Sequence, residues 1–70
     1  MDIQSKKIMA HLRRHRSITP LVALQEYGCM RLAARIYDLK EKGHKIHMQM
    51  IELDNGKRVA SYSLIKEGTE

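Results

Sequence analysis

Two arginines stand four residues apart in the middle of the chain, in the segment MRLAARIYDLKEK. On a helix this spacing places Arg31 and Arg35 one turn apart on the same face, with the small Ala34 between them. A guanidinium group can hold a phosphate, or it can form two hydrogen bonds to O6 and N7 of guanine. The alternative is a solvated face on which Arg35 forms an ion pair with Asp38, three residues further along.

The charge of the whole chain agrees with an anionic partner. Thirteen Lys and Arg oppose eight Asp and Glu in 70 residues, which gives a formal net charge of +5. Such a domain attracts nucleic acid, acidic proteins or anionic membrane, although basic residues also serve solubility alone. The apolar segments are shorter than the roughly 20 residues that cross a bilayer, so we expect no membrane partner. The single cysteine, Cys29, excludes an internal disulfide and fits a cytoplasmic protein.

Catalytic and metal-binding patterns are weak. His11 and His15 have helical i, i+4 spacing, but two arginines and no acid lie between them. A zinc site needs three or four ligands, and Cys29 is the only thiol. No nucleophile–base pairing is indicated, and a domain this small encloses no large pocket. We therefore expect no enzyme, no metal, no cofactor and no small-molecule substrate.

Three helices are predicted in the first two thirds of the chain. The first spans residues 3–15, and its apolar positions are Ile8, Met9 and Leu12. The second begins at Pro20 with Thr19 as its N-cap and ends at Gly28, with Leu21 and Leu24 sharing a face. The third spans residues 30–42, carries the apolar stripe of Leu32, Ile36 and Leu39, and ends at Gly43.

The last third predicts a β-hairpin, because Asp54-Asn55-Gly56 is a strong turn signal. A two-residue Asn-Gly turn would give a hairpin in which each face mixes apolar and polar residues. A three-residue loop with a left-handed Gly56 instead gathers the apolar residues on one face. Its cross-strand pairs are Glu52 with Arg58, Met50 with Ala60, Met48 with Tyr62, and Ile46 with Leu64. We prefer this register, with an ion pair between Glu52 and Arg58 and the apolar face packed on the helices.

Three helices followed by a hairpin form an α+β domain, the winged helix-turn-helix, with a two-stranded wing. We expect one domain over residues 1–65 and a frayed tail at 66–70. In this fold the third helix enters the major groove of DNA and the wing contacts the backbone or minor groove. The predicted contacts are Met30, Arg31, Ala34, Arg35 and Asp38 on the third helix, Lys57 and Arg58 on the wing, and Lys6 and Arg14 on the first helix.

The segment from Tyr27 to Ile46, YGCMRLAARIYDLKEKGHKI, resembles a family of small helix-turn-helix domains encoded by bacteriophages and prophages. The upstream SITPLVAL and the downstream NGKRVASYSL are also similar to that family, so the resemblance covers about residues 5–64. It implies a winged helix-turn-helix fold and a role in binding DNA. It implies no defined operator or partner.

Three hypotheses follow for the function. The first is a phage-type protein that binds double-stranded DNA and regulates transcription or another DNA transaction, close to the nucleoid of a bacterial host. The second is an interaction module that inhibits or modulates a host protein through the same basic face. The third is a homodimer, because two copies would read a longer DNA site than one.

Overall fold

Three helices and three strands follow one another along the chain in this computed structural model, which describes residues 3–68. The helices are α1 (Ile3–His15), α2 (Pro20–Tyr27) and α3 (Leu32–Glu41). The strands are β1 (Ser17–Ile18), β2 (Lys45–Glu52) and β3 (Arg58–Lys66). They form one antiparallel sheet in the order β1-β3-β2. No helix of the described residues is long and apolar enough to cross a membrane.

Both long helices bury the apolar stripes that their sequences predict. The core contains Ile8, Met9 and Leu12 of α1 together with Leu32, Ile36 and Leu39 of α3. Ile18, Ala23, Cys29, Ile46 and Leu64 complete it. Helical spacing brings each stripe to one side of its helix, so α1 and α3 pack on each other and on the base of the sheet.

The caps of α2 are confirmed, and the helix buries an alanine rather than its leucines. The Thr19 hydroxyl accepts a hydrogen bond from the Val22 N–H at 3.3 Å, and Gly28 has the left-handed φ of 66°. The fully buried residue of α2 is Ala23, whereas Leu21 and Leu24 are exposed. Leu21 and Leu24 share a face, as predicted, and that face is the outer one. A small alanine lets α2 approach the core closely, which leaves the two leucines on the outer side.

α3 is shorter than predicted. It starts at Leu32, with Arg31 as its N-cap residue, so Met30 lies in the turn before the helix. At the other end, the helix stops before Gly43, as predicted, and Gly43 has a positive φ of 98°. The Gly43 N–H donates to the Lys40 carbonyl at 3.0 Å.

The sheet has a third strand, so the prediction of a two-stranded wing is wrong in this respect. Arg16 takes the left-handed conformation, with φ 70°, directly after α1. This turn lays the next two residues along β3, where Ser17 pairs with Ser63 and Ile18 with Tyr62. The Leu64 N–H also donates to the Arg16 carbonyl at 2.9 Å. A two-residue strand has no periodicity of its own, so the sequence pattern did not predict β1.

The wing, formed by β2, β3 and their connecting loop, has the predicted register. Glu52 lies opposite Arg58, Met50 opposite Ala60, Met48 opposite Tyr62, and Ile46 opposite Leu64. The Leu53 N–H donates to the Lys57 carbonyl at 2.7 Å, which closes a three-residue loop. Gly56 has φ 84°, as the left-handed position of this loop requires.

The apolar face of the wing is covered at its base and open further out. Ile46 and Leu64 are buried, whereas Met48 and Met50 are 47% and 51% exposed. The expectation that the helices cover this whole face is therefore wrong. The wing extends beyond the helices, and the two methionines lie on the uncovered part.

The C-terminal residues pack against the body of the domain as far as the structure describes them. β3 continues to Lys66, one residue past the predicted end of the domain. Arg13 of α1 donates to Glu67 at 2.8 Å in an ion pair, and the Gly68 N–H donates to Nδ1 of the buried His44 at 2.9 Å. Residues 66–68 of the predicted frayed tail are thus held by contacts, and residues 69–70 lie outside the described part.

Candidate nucleic-acid interface

The turn between α2 and α3 is fixed at both ends. The Gly28 N–H donates to the Leu24 carbonyl at 2.9 Å, and the Cys29 N–H donates to the Ala23 carbonyl at 3.1 Å. Cys29 is buried in the core, where it acts as a small packing residue. The side-chain amide of Gln4 on α1 donates to the Gly28 carbonyl at 3.5 Å. These contacts set the direction in which the chain enters α3.

Arg31 and Met30 stand exposed at the N-terminal end of α3. Met30 is 84% exposed, and the side chain of Arg31 makes no capping hydrogen bond. The Arg31 carbonyl accepts from the N–H groups of Ala34 and Arg35 at 3.1 and 3.3 Å. Backbone N–H groups in the first turn of a helix attract anions, and an arginine at the same end adds a full positive charge.

Arg35 has a different environment from Arg31. Its guanidinium lies 3.1 Å from the Asp38 carboxylate, and its side chain is 28% exposed. The ion pair proposed as the alternative for this face is therefore present. Arg31 is exposed at the helix end, while Arg35 lies half-buried one turn later beside a negative charge.

The wing places two basic residues at its tip. Lys57 and Arg58 are both exposed, and the Lys57 N–H donates to the Asn55 side-chain oxygen at 3.0 Å. Glu52 lies opposite Arg58 in the sheet, but no ion pair joins their side chains among residues 3–68. The predicted Glu52–Arg58 ion pair is therefore wrong, and the positive charge of Arg58 is not neutralised across the strands.

The two predicted contacts on α1 lie at different places along the helix. Lys6 is exposed two residues after Gln4, whose amide reaches the α2–α3 turn. Arg14 is exposed beside a depression that also contains Glu26 and Tyr27 of α2. Eight residues separate Lys6 from Arg14, which is about 12 Å along a helix.

The sequence model of the winged helix-turn-helix domain family matches residues 3–67 of the chain. The chain belongs to the winged helix-turn-helix family. Membership indicates a DNA-binding module, and domains of this family are typically not enzymes. Comparisons with curated proteins and with solved structures find no match. In this winged helix-turn-helix domain, α2 and α3 are the helix pair, and β2 and β3 form the wing.

The domain also has an apolar groove between α2 and the wing that the sequence analysis did not predict. Two adjoining depressions of about 390 and 110 Å³ form it. Its lining includes Pro20, Leu21, Leu24, Met30, Leu53 and Val59. Leu21 and Leu24 are 59% and 46% exposed. The composition of α2 could have indicated this groove, because the helix contains more large apolar residues than a two-turn helix buries.

The histidines of α1 form a small polar cluster with α2. Nδ1 of His11 and the Tyr27 hydroxyl share a hydrogen bond at 2.7 Å, and the His11 and His15 rings lie 4.5 Å apart. Burial, with a smaller contribution from His15, lowers the pKa of His11 below its ordinary value of 6.5. Within the described residues, no group of three metal-ligating side chains comes together.

Proposed function

We propose that this winged helix-turn-helix domain binds double-stranded DNA and regulates transcription or another DNA transaction. We further propose that it is of bacteriophage or prophage type and acts in the cytoplasm of a bacterial host, close to the nucleoid. It works without chemistry, by occupying a DNA site. The single observation that carries the proposal is the exposed Arg31 at the N-terminal end of α3, the helix that follows the helix-turn-helix turn.

The surrounding residues divide into base contacts and phosphate contacts. In the major groove, Arg31 pairs with a guanine edge, while Met30 and Ala34 lie against apolar base atoms such as a thymine methyl. Arg35 and Asp38 line the same surface. Lys57 and Arg58 on the wing hold phosphates, as Lys6 or Arg14 does on α1. Phosphate contacts fix the position of the domain, and base contacts provide its sequence preference.

A binding titration at increasing salt tests this proposal. With about four to six phosphates contacted, the logarithm of the association constant falls with the logarithm of salt at a slope near −4 to −5. Arg31→Ala weakens binding to a selected duplex by about tenfold or more, as expected for the loss of a base contact worth ~1–3 kcal/mol. The matched control is Lys66→Ala, which removes one exposed charge at the end of β3.

Selection of bound fragments from a genomic library identifies the duplex for this titration. Enrichment of one motif supports sequence-specific binding. A flat salt dependence, or no binding to any duplex, contradicts the proposal.

The apolar groove favours a second candidate function, in which the domain binds a host protein. DNA offers little apolar surface, whereas an amphipathic helix of a partner places its apolar residues in such a groove. The discriminating variants are Leu21→Glu in the groove and Arg31→Glu on α3. A partner captured from nuclease-treated host lysate that is lost with Leu21→Glu and kept with Arg31→Glu supports this function. Loss of all captured protein on nuclease treatment contradicts it.

A further inference from the structure

The outer edge of β2 is an open strand edge. β2 is eight residues long and pairs with β3 alone, because β1 lies on the other side of β3. Within residues 3–68, no strand and no side chain makes a hydrogen bond to the backbone at this outer edge. Unpaired N–H and C=O groups along an edge of this length form a template for another strand.

β2 lacks the features that usually protect such an edge. Proteins commonly block edge strands with proline, a bulge in the middle or inward-pointing charges. The segment from Ile46 to Ile51 contains neither proline nor a lysine, arginine or carboxylate. The one irregularity of its pairing lies between Lys45 and Ile46, at the start of the strand. Met48 and Met50 add half-exposed apolar surface to the same strand.

We infer that two copies of this chain pair through β2, strand against antiparallel strand, and form a continuous six-stranded sheet. The charges at the two ends of β2 select this orientation. Lys45 begins the strand and Glu52 ends it. Antiparallel pairing brings Lys45 of each copy to the end that carries Glu52 of the other. Parallel pairing would place like charges side by side at both ends.

Symmetry also decides which side chains meet. Directly opposite residues of an antiparallel pair point to the same face of the sheet. The two-fold axis between identical antiparallel strands is perpendicular to the sheet, so even-numbered residues of both copies point to the same face. An even-numbered residue therefore lies opposite an even-numbered one. Met48 then lies opposite Met48 or Met50 of the second copy, so the four methionines form one apolar row. Pairing of this kind covers the exposed methionines that the helices leave open.

The size of the contact sets the expected strength. An eight-residue strand is about 27 Å long, so pairing through it buries a small area. We expect less than about 1,200 Å² in total, which is the low end of specific interfaces. We therefore expect a dimer that forms in the micromolar range and dissociates on dilution. This inference does not rest on DNA binding, because association is measured on the protein alone.

Sedimentation of the full chain from low to high micromolar concentration tests the inference. We expect the mass to rise from the 8.2 kDa of one chain to twice that value. The double variant Met48→Lys/Met50→Lys places four like charges in the row and stays monomeric, with its fold checked by circular dichroism. The control Met30→Lys changes a more exposed methionine outside the sheet and still dimerises.

Disulfide trapping provides an independent measurement. Cys29 is buried, so a cysteine introduced on the wing is the accessible thiol. A symmetric pair predicts an intermolecular disulfide in Met48→Cys or in Gln49→Cys, depending on the register, and none in Ser61→Cys on β3. A monomer at all concentrations overturns the inference. So does a dimer that survives the double lysine variant, is lost in Met30→Lys, or is trapped by Ser61→Cys.

Discussion

Asp38 places a negative charge on the helix that faces DNA in the proposed complex. Its carboxylate lies 3.1 Å from the guanidinium of Arg35 and is partly exposed. An exposed pair of this spacing contributes about 0.3–0.5 kcal/mol to stability, so the fold does not depend on it. Asp38 has a larger effect on DNA binding, because its carboxylate both offsets the positive charge of Arg35 and repels phosphate.

Removing that charge should strengthen DNA binding. We expect Asp38→Asn to raise the affinity by about two- to fivefold at low salt, since one repulsive charge at roughly 8 Å is worth about 0.5 kcal/mol or more. The gain should shrink as salt screens it. The control is Glu41→Gln, the same charge change at the far end of α3. Weaker binding of Asp38→Asn would instead assign Asp38 to direct recognition of a base.

Arg16 offers a prediction about stability. Its φ of 70° is a conformation that costs a non-glycine residue about 1–2 kcal/mol, and its side chain is exposed. Arg16→Gly should therefore leave the free energy of unfolding unchanged or raise it by about 0.5 kcal/mol. Arg16→Val should lower it by more than 1 kcal/mol, because β-branched residues resist this region. Arg14→Gly, the same change in the last turn of α1, should lower it by up to about 1 kcal/mol. Urea denaturation measures all three.

At the scale of secondary structure, the predictable parts are those whose signal lies within one element. The stripe of Leu32, Ile36 and Leu39 is periodic, and Thr19-Pro20 is a helix start with a chemical reason. The wing register followed from turn length combined with strand alternation. Local signals of this kind do not depend on what packs against them.

The remaining features depend on long-range packing. β1 exists because β3, more than 40 residues later in the chain, offers an edge to Ser17 and Ile18. The spacing of Leu21 and Leu24 predicted a shared face but not that this face is exposed, whereas Ala23 lies in the core because its small side chain permits close approach. The exposure of Arg31 likewise follows from where α3 begins, whereas the pair of Arg35 with Asp38 is a local contact that the sequence offered as an alternative. Sequence periodicity predicted a polar face but not the different roles on it.

The contact between α1 and α2 should make stability depend on pH. Burial and the neighbouring His15 lower the pKa of His11, and Glu26 and the Ser17 backbone oppose this. The unfolded chain therefore binds a proton on His11 more readily than the folded one. Stability is fully present above about pH 6.5 and falls as the pH drops towards the lowered value. We expect the melting temperature to decrease over this window.

Comparison with a variant isolates the contribution of His11. His11→Gln should flatten the dependence between pH 7.5 and 5.5, and a thermal melt at each pH measures it. Glu67 titrates in a separate range, because the hydrogen bond from Arg13 lowers its pKa below 4.5. Its contribution is lost at more acidic pH than that of His11. An unchanged slope in His11→Gln would contradict the assignment.

On the whole molecule, the basic and apolar surfaces are largely distinct, although they meet at Met30, which lies beside Arg31 and also lines the apolar groove. Arg31 and the wing tip are basic, whereas the groove beside α2 and the outer part of the wing are apolar. A domain that only bound DNA would have little use for the second kind of surface. Large exposed apolar patches usually mark contacts with other proteins. The DNA-binding and association proposals therefore use separate surfaces and can be tested separately.

The salt dependence of single variants should show which basic residues lie along the DNA. Each phosphate contact removed reduces the salt slope by about one, whereas loss of a base contact weakens binding with less change in slope. Lys57→Ala and Arg58→Ala should each reduce the slope, since both lie at the wing tip. On α1 we expect the same for Lys6→Ala, because Lys6 lies in the first turn of α1, the end of the helix at which Gln4 contacts the turn before α3. Arg14→Ala should leave the slope unchanged, because Arg14 lies about 12 Å further along α1, beside Glu26. A reduced slope for Arg14 and not for Lys6 would place the duplex across the opposite end of α1, and the orientation proposed for α3 would then be wrong.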